Sequence, residues 1–286
     1  MPQAGPPAAL FAGPGPDPAA AGVVRLVLDR GAAGKAVATA FLAWGGRGRF
    51  LATAFHNLSG GLTPQERFLG GQPPRPLSFE ILLGGASVGR FPAYVGGRSL
   101  FRVHPDPEVR RSCDVAVLDF GALEALADAA LPGSFLEAAG VNEPCPRPGH
   151  CRVADMFLPA GRGVLVLGFP GGRDYAGGPL AVACALAAAP DPAMPFLPVS
   201  GPTDRGCSGA PAVARDFGGY FALDRDGPRR DLAGLAVVDQ WLGLYSGRLT
   251  RLRFGGEGPA TVQVGAVWTA GLVLEIGEAG VPDFLF

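Results

Sequence analysis

Short apolar runs of four to eight residues recur along the chain, each closed off by Gly, Pro or Asp. Val23 to Leu28 comes first. Val37 to Trp44 and Phe50 to Ala54 follow, joined by a Gly-Gly-Arg-Gly-Arg segment that reads as a hairpin. Further strand-like runs are Phe79 to Leu83, Ser87 to Tyr94, Ser99 to Val103 and Val115 to Phe120. The pattern then changes. Gly121 to Ala139 is rich in Ala and Leu and predicts a short helix, and Glu143 to Gly149 is a Pro-laden loop. Strand-like runs resume at Val164 to Phe169, Leu180 to Leu186, Phe196 to Val199, Pro211 to Ala214, Leu232 to Val238 and Thr261 to Trp268. Many short strands with frequent turn signals predict an all-β antiparallel sandwich or barrel. The break near 121–155 divides the chain into two halves without a visible repeat. The expected layout is a Pro/Ala/Gly-rich tail at 1–22, one β-barrel at 23–120, a connector at 121–155 and a second β-barrel at 156–286.

Composition narrows the chemistry. The 286 residues carry 25 acidic and 24 basic side chains, a formal net charge of −1. That balance argues against a nucleic-acid partner and against a polybasic membrane anchor. Gly and Pro make up about a quarter of the chain, a loop-rich signal, but 48% hydrophobic content with almost no net charge is not the composition of a disordered protein. Lys35 is the lone lysine. The histidines are His56, His104 and His150, with no HExxH-type motif and no paired CxxC, so neither a metal nor a cofactor is expected. Five irregularly spaced cysteines do not describe a disulfide framework and point to a reducing, cytoplasmic setting. The first 22 residues lack a basic segment followed by an apolar one, and prolines and charges break the long weakly charged stretch Val164 to Gly201, so neither reads as a secretory signal or a membrane span.

Three local patterns carry candidate chemistry. Ala52-Thr53-Ala54-Phe55-His56-Asn57 puts a histidine just after an apolar strand. Cys113-Asp114-Val115-Ala116-Val117-Leu118 puts an aspartate at the mouth of another. Thr203-Asp204-Arg205-Gly206-Cys207-Ser208-Gly209-Ala210-Pro211 is a tight turn leading into a third. Singly, each has a bland reading as loop or turn chemistry. Together they supply a hydroxyl, an imidazole to take its proton and a carboxylate to hold the imidazole, which is what acyl transfer by serine requires. The order His, Asp, Ser, with separations of 58 and 94 residues, is one of the known orders for this triad.

On these residues the chain resembles the trypsin/chymotrypsin-like serine proteases, and within them the bacterial trypsin-like and HtrA-type peptidase domains. Thr53-Ala54-Phe55-His56 is similar to the family's Thr-Ala-Ala-His, Asp114-Val115-Ala116-Val117-Leu118 to its Asp-Ile-Ala-Leu-Leu, and Gly206-Cys207-Ser208-Gly209-Ala210-Pro211 to its Gly-Asp-Ser-Gly-Gly-Pro. Leu165-Val166-Leu167-Gly168-Phe169-Pro170 resembles a Gly-Tyr/Phe-Pro turn of the bacterial relatives. The resemblance spans roughly residues 23 to 270. It implies two six-stranded antiparallel barrels with the active site in the cleft between them. It implies His56 as general base and acid, Asp114 as its orienting carboxylate and Ser208 as nucleophile. The backbone N–H groups of Gly206 and Ser208 would form the oxyanion hole. A substrate strand would run along Val237, Val238 and Asp239, with Thr203 near the P1 side chain. The partner is then a polypeptide substrate, with a small or apolar P1 residue expected because Pro202 and Thr203 offer no carboxylate, the alternative being an Arg or Lys drawn by Asp239 if it faces the pocket.

The departures from the family pattern are specific. Cys207 stands where zymogen-type relatives have an Asp, and no Ile-Val-Gly-Gly-like start is present, so the enzyme is expected to fold active. Asn57 replaces the cysteine beside the catalytic histidine. These departures keep two rivals in view: a protease-like binding or regulatory module without turnover, and a variant using Cys207 as nucleophile, which is one residue out of register. A third expectation is a role in processing or activating a regulatory partner protein. Asp119 lies at the far end of the Asp114 strand. His104 is expected to be exposed in its Pro-rich loop. Cys145, His150 and Cys151 read at most as a metal half-site, and Trp44, Trp241 and Trp268 as packing residues.

Overall fold

In the computed structural model the residues described are 20, 22–45, 47–72, 77–126, 158–217, 220–224, 227–231, 237–248 and 264–284. The tail, most of the connector, the Cys145/His150/Cys151 cluster and Leu232 to Ala236 lie outside them. The apolar runs become strands β1 (Val23–Asp29), β2 (Lys35–Gly45), β3 (Gly48–Thr53), β4 (Ser78–Leu83), β5 (Ala86–Pro92), β6 (Tyr94–Val95), β7 (Arg98–Val103) and β8 (Ala116–Asp119). Beyond the connector come β9 (Gly163–Gly168), β10 (Leu180–Leu186), β11 (Phe196–Ser200), β12 (Ala210–Phe217), β13 (Tyr220–Asp224), β14 (Gly227–Asp231), β15 (Val237–Arg248), β16 (Val264–Thr269) and β17 (Val281–Phe284). Five helices, α1 (Phe55–Leu58), α2 (Pro64–Phe68), α3 (Pro107–Arg110), α4 (Phe120–Leu126) and α5 (Ala270–Ala279), are short. None of the described helices is long and apolar enough to cross a membrane.

The fold is the expected mostly-β, two-barrel architecture. The second barrel is closed by six strands in the order β10-β11-β16-β15-β12-β9. The first is a nine-stranded, nearly closed sheet, β17-β7-β8-β3-β2-β1-β4-β5, with β6 on β7. The run read as one strand from Ser87 to Tyr94 bends at Ala93. There the Ala93 N–H donates to the Leu77 carbonyl while the Ala93 carbonyl accepts from Leu100. The single bend lets one stretch of chain pair with β4 on one side and β7 on the other, curling the sheet around its own core of Val24, Leu26, Phe79, Ile81, Phe101 and Leu118.

β2 explains why Val37 to Trp44 is apolar without alternation. Ala38, Ala40 and Leu42 enter the first core, whereas Phe41 and Ala43 belong to a second cluster that faces the other barrel. A strand buried on both faces has no polar side to show. That shared cluster joins Phe41, Phe50 and Val117 to Phe169, Trp241, Leu244 and Trp268. Phe41 meets Trp241 edge to face, with ring centroids 5.5 Å apart.

Two elements depart from the sequence reading. Helix α5 was not foreseen. It buries Ala270, Val273 and Ile276, spaced three apart, in the inter-barrel cluster. The chain's last strand then leaves the second half: β17 pairs with β7, Val281 opposite Val103. The division at 156–286 therefore does not follow the sheets to the end of the chain. Arg67, buried on α2, holds β17 through Asp283 Oδ2 at 3.1 Å and the Phe284 carbonyl, and Tyr94 also donates to Asp283.

Trp241 is fully buried between the barrels and its Nε1 donates to the Gly243 carbonyl at 2.9 Å. Trp241→Ala is expected to cost about 3–5 kcal/mol of unfolding free energy, measured by urea denaturation, through the cavity it opens.

Candidate active site

β3 ends at Thr53 and the chain turns at once into the single turn α1, whose Phe55 and Leu58 are buried. Phe55 sits edge-on to Phe101, 5.9 Å between centroids. This pins the turn so that His56, between two anchored residues, faces out of the first barrel. Asp114 is fixed in the same way: Cys113 and Val115 on either side are buried. Its Oδ1 accepts from the His56 backbone N–H at 3.0 Å, and its Oδ2 faces His56 Nδ1 at 2.7 Å. A carboxylate only accepts, so the imidazole proton sits on Nδ1 and Nε2 is left as an acceptor. Nε2 lies 2.8 Å from Ser208 Oγ. The Ser208 hydroxyl has a second acceptor in reach, the Ser246 carbonyl, also at 2.8 Å.

Burial pulls the basicity of His56 down. The charge of Asp114 and its hydrogen bond push it back up, the Arg30 cation opposes them, and the net displacement is upward from 6.5.

Ser208 stands between two consecutive tight turns. The Cys207 N–H donates to the Asp204 carbonyl with Gly206 at φ +94°, and the Ala210 N–H donates to the Cys207 carbonyl with Gly209 at φ +88°. A positive φ at the third residue alone is the type II signature and selects glycine. Space selects it as well, because a Cβ at Gly206 would run into the Phe169 carbonyl oxygen and one at Gly209 into that of Thr39. The loop's carbonyls turn away from the cleft. Arg205 O accepts from the Gly171 N–H at 2.6 Å, Gly206 O from Thr39 Oγ1 at 2.6 Å, and Ser208 O from the Thr39 N–H at 2.9 Å and Asn57 Nδ2 at 3.1 Å. The N–H groups of Gly206 and Ser208 have no acceptor among the described residues, a pair of donors beside the hydroxyl.

Thr39, Thr53 and Asn57 form the support, and the sequence reading missed all three. Thr53 Oγ1 donates to Thr39 O at 2.7 Å and accepts from Asn57 Nδ2 at 3.0 Å, while Thr39 Oγ1 accepts from the Phe169 N–H at 3.2 Å. All three are buried. The available signal was Thr39 as the single polar residue of an apolar run.

The other candidates fall as follows. Cys207 is fully buried in the core of the second barrel, and burial pushes its thiol pKa up, whereas the side chain within hydrogen-bond reach of His56 Nε2 is that of Ser208. Val237, Val238 and Asp239 lie at the start of β15 opposite Phe217, Asp216 and Arg215. Asp239 is seven residues from Ser246, on the order of 20 Å along an extended strand. The structure brings the other end of β15, at Ser246, to the Ser208 hydroxyl. The apolar run marks only the first part of this strand, which continues through the polar residues Asp239, Gln240 and Ser246. Thr203 is buried, its hydroxyl 2.6 Å from that of Tyr245. His104 is buried rather than exposed, with Nε2 3.3 Å from Glu275 on α5. Asp119 pairs with Arg102 at 2.9 Å, away from His56.

No family model matches the chain. No curated protein matches it either. Among solved structures, it is similar to the HtrA-type protease AlgW with tripeptide, at 15% identity and TM-score 0.46 over 91% of this chain and 60% of that one. It is similar to the serine endoprotease from Yersinia pestis, at 14% identity and TM-score 0.45 over 91% and 62%. It is also similar to the thermostable serine protease AL20 from an extremophilic microorganism, at 17% identity and TM-score 0.46 over 92% and 98%. The chain spans about three fifths of the length of the first two.

Thr39→Val keeps the shape of the side chain and strands the Gly206 carbonyl and the Phe169 N–H. It is expected to lower unfolding free energy by about 1–3 kcal/mol in urea denaturation, with Thr39→Ser retaining most of the stability.

Proposed function

We propose that this chain is a serine endopeptidase working through His56, Asp114 and Ser208, with a polypeptide as substrate. The observation that carries the reading is the continuous hydrogen-bonded line Asp114–His56–Ser208, at 2.7 and 2.8 Å, ending beside two backbone N–H groups with no acceptor among the described residues.

In this reading Ser208 Oγ attacks the scissile carbonyl carbon as its proton passes to His56 Nε2. The C=O π electrons move onto oxygen, and the oxyanion is received by the N–H groups of Gly206 and Ser208. Each such donor is worth roughly 3 kcal/mol in the transition state. Asp114 stabilises the imidazolium without taking its proton. His56 then protonates the leaving amine, the C–N bond breaks, and an ester joins the acyl fragment to Ser208. Water, deprotonated by His56, repeats the sequence and releases the acid. The cycle asks for no metal or cofactor. The substrate backbone lies along the Ser246 end of β15 by strand addition. Thr203, occupied by the Tyr245 hydroxyl, adds no charge for the P1 residue, consistent with a small or apolar P1.

A fluorophosphonate probe is expected to label Ser208 in the folded protein, with the adduct found by mass mapping and lost in Ser208→Ala but kept in Cys207→Ala. A folded protein that takes no label would favour the reading as a binding module without turnover.

Only neutral His56 can accept the serine proton. Its pKa is raised, so kcat/KM should fall as pH drops, with the acid-limb midpoint above 6.5. Asp114→Asn, which removes the acceptor that fixes the tautomer, should reduce kcat by about 10⁴-fold at neutral pH in a peptide-cleavage assay.

A further inference from the structure

Arg30 follows β1 in a tight turn closed by its own N–H donating to the Gly34 carbonyl at 3.0 Å. Its guanidinium packs against Gly61, so closely that a Cβ there would come to 3.0 Å from the Arg30 Nη1. The Gly61 N–H in turn donates to the His56 carbonyl at 2.7 Å. A cation is thus held one residue away from the general base.

That cation has nothing to balance it. Its Nε is buried without a hydrogen-bond partner, and Arg30 forms no ion pair among the described residues. Asp29, its neighbour in sequence, is engaged elsewhere, accepting from the Gly31 N–H at 3.0 Å and facing Arg90 at 3.8 Å. Buried cationic groups in proteins are normally paired and hydrogen-bonded. The position also bears on His56. Of the charged groups acting on His56, Asp114 raises its basicity and Arg30 lowers it. A half-buried guanidinium with its fork unused is suited to one ligand above others, a carboxylate, which it can hold through two parallel N–H···O bonds.

The direction of the reaction says where that carboxylate belongs. His56 hands its proton to the leaving amine, so the departing segment lies on the His56 side of the nucleophile. We propose, resting on the endopeptidase reading above, that Arg30 is a carboxylate-binding subsite for the departing segment, so that the preferred substrates are polypeptides with an acidic group just after the scissile bond. A Glu or Asp side chain and the free C-terminus of a short departing segment present the same chemistry.

The test uses internally quenched peptides that differ only in the two residues after the scissile bond, carrying Glu, Gln or Lys, each made as free acid and as amide. Wild type should cleave the Glu peptide about tenfold or more faster than the Gln peptide in kcat/KM, the scale of one charge-assisted hydrogen bond. Arg30→Gln should bring the Glu/Gln ratio close to one and move the acid-limb midpoint of the pH–rate profile upward, a shift that a merely structural role would not produce. Arg30→Glu should invert the preference toward Lys. A free-acid preference lost in Arg30→Gln would identify the chain terminus as the carboxylate bound. A Glu/Gln ratio near one in wild type, or a preference that survives Arg30→Gln in a protein of unchanged melting temperature, overturns the subsite. Cleavage of neutral peptides that depends on Ser208 would then leave the endopeptidase reading standing. Absence of both cleavage and probe adduct would bring that reading down, and the subsite with it.

Discussion

The carbonyl oxygens of Gly206 and Ser208 sit at a junction between two barrels, and Thr39 of the first barrel serves both. Its hydroxyl donates to one and its backbone N–H to the other. A buried carbonyl left alone is costly enough that the loop keeps the one arrangement in which both are bonded. Across a planar trans peptide the Gly206 N–H points opposite to the Arg205 carbonyl, which the Gly171 N–H holds at 2.6 Å, and the Ser208 N–H opposite to the Cys207 carbonyl, which the Ala210 N–H holds at 3.0 Å. The pair of donors beside the Ser208 hydroxyl thus follows from how the Arg205 and Cys207 carbonyls are bonded, and Gly206 and Gly209 are the residues that let the backbone turn sharply enough to do so.

The same junction sets the distance between His56 and Ser208. One is carried by β3 and α1, the other by the loop before β12, and no covalent link other than the main chain joins them. Asn57 bridges the gap, bonding to Thr53 in its own barrel and to the Ser208 carbonyl across from it. Around it Phe41, Phe169 and Trp241 lock the barrels at a fixed spacing. A hydrogen-bonded amide in this position does without a disulfide, and every described cysteine is a free, buried thiol.

What could be read from the sequence follows from how local each feature is. His56, Asp114 and Ser208 each stand beside an apolar strand, so residue type and order were enough to single them out. The two-barrel layout was legible because turn residues punctuate every strand. Thr39 and Arg30 were not, because their partners are far away in sequence: Gly206 for one, Gly61 for the other, and neither contact leaves a pattern of spacing. The substrate edge was placed at Val237 to Asp239 because hydrophobicity marks strands without saying which end approaches the site. Helix α5 escaped because Gly271 and Gly277 dilute its helical character, and burial against the inter-barrel cluster supplies what its propensity lacks.

The return of β17 to β7 has a bearing on the order in which the molecule is made. A ribosome delivers β1 to β8 long before Val281 to Phe284, and until those four residues arrive β7 lacks its outer neighbour and Arg67 lacks Asp283. The first half emerges with an open strand edge of the kind that invites pairing with other chains. Completion of the first sheet is thus deferred until after the second barrel has been synthesised, and until then the outer edge of β7 stays open to mispairing.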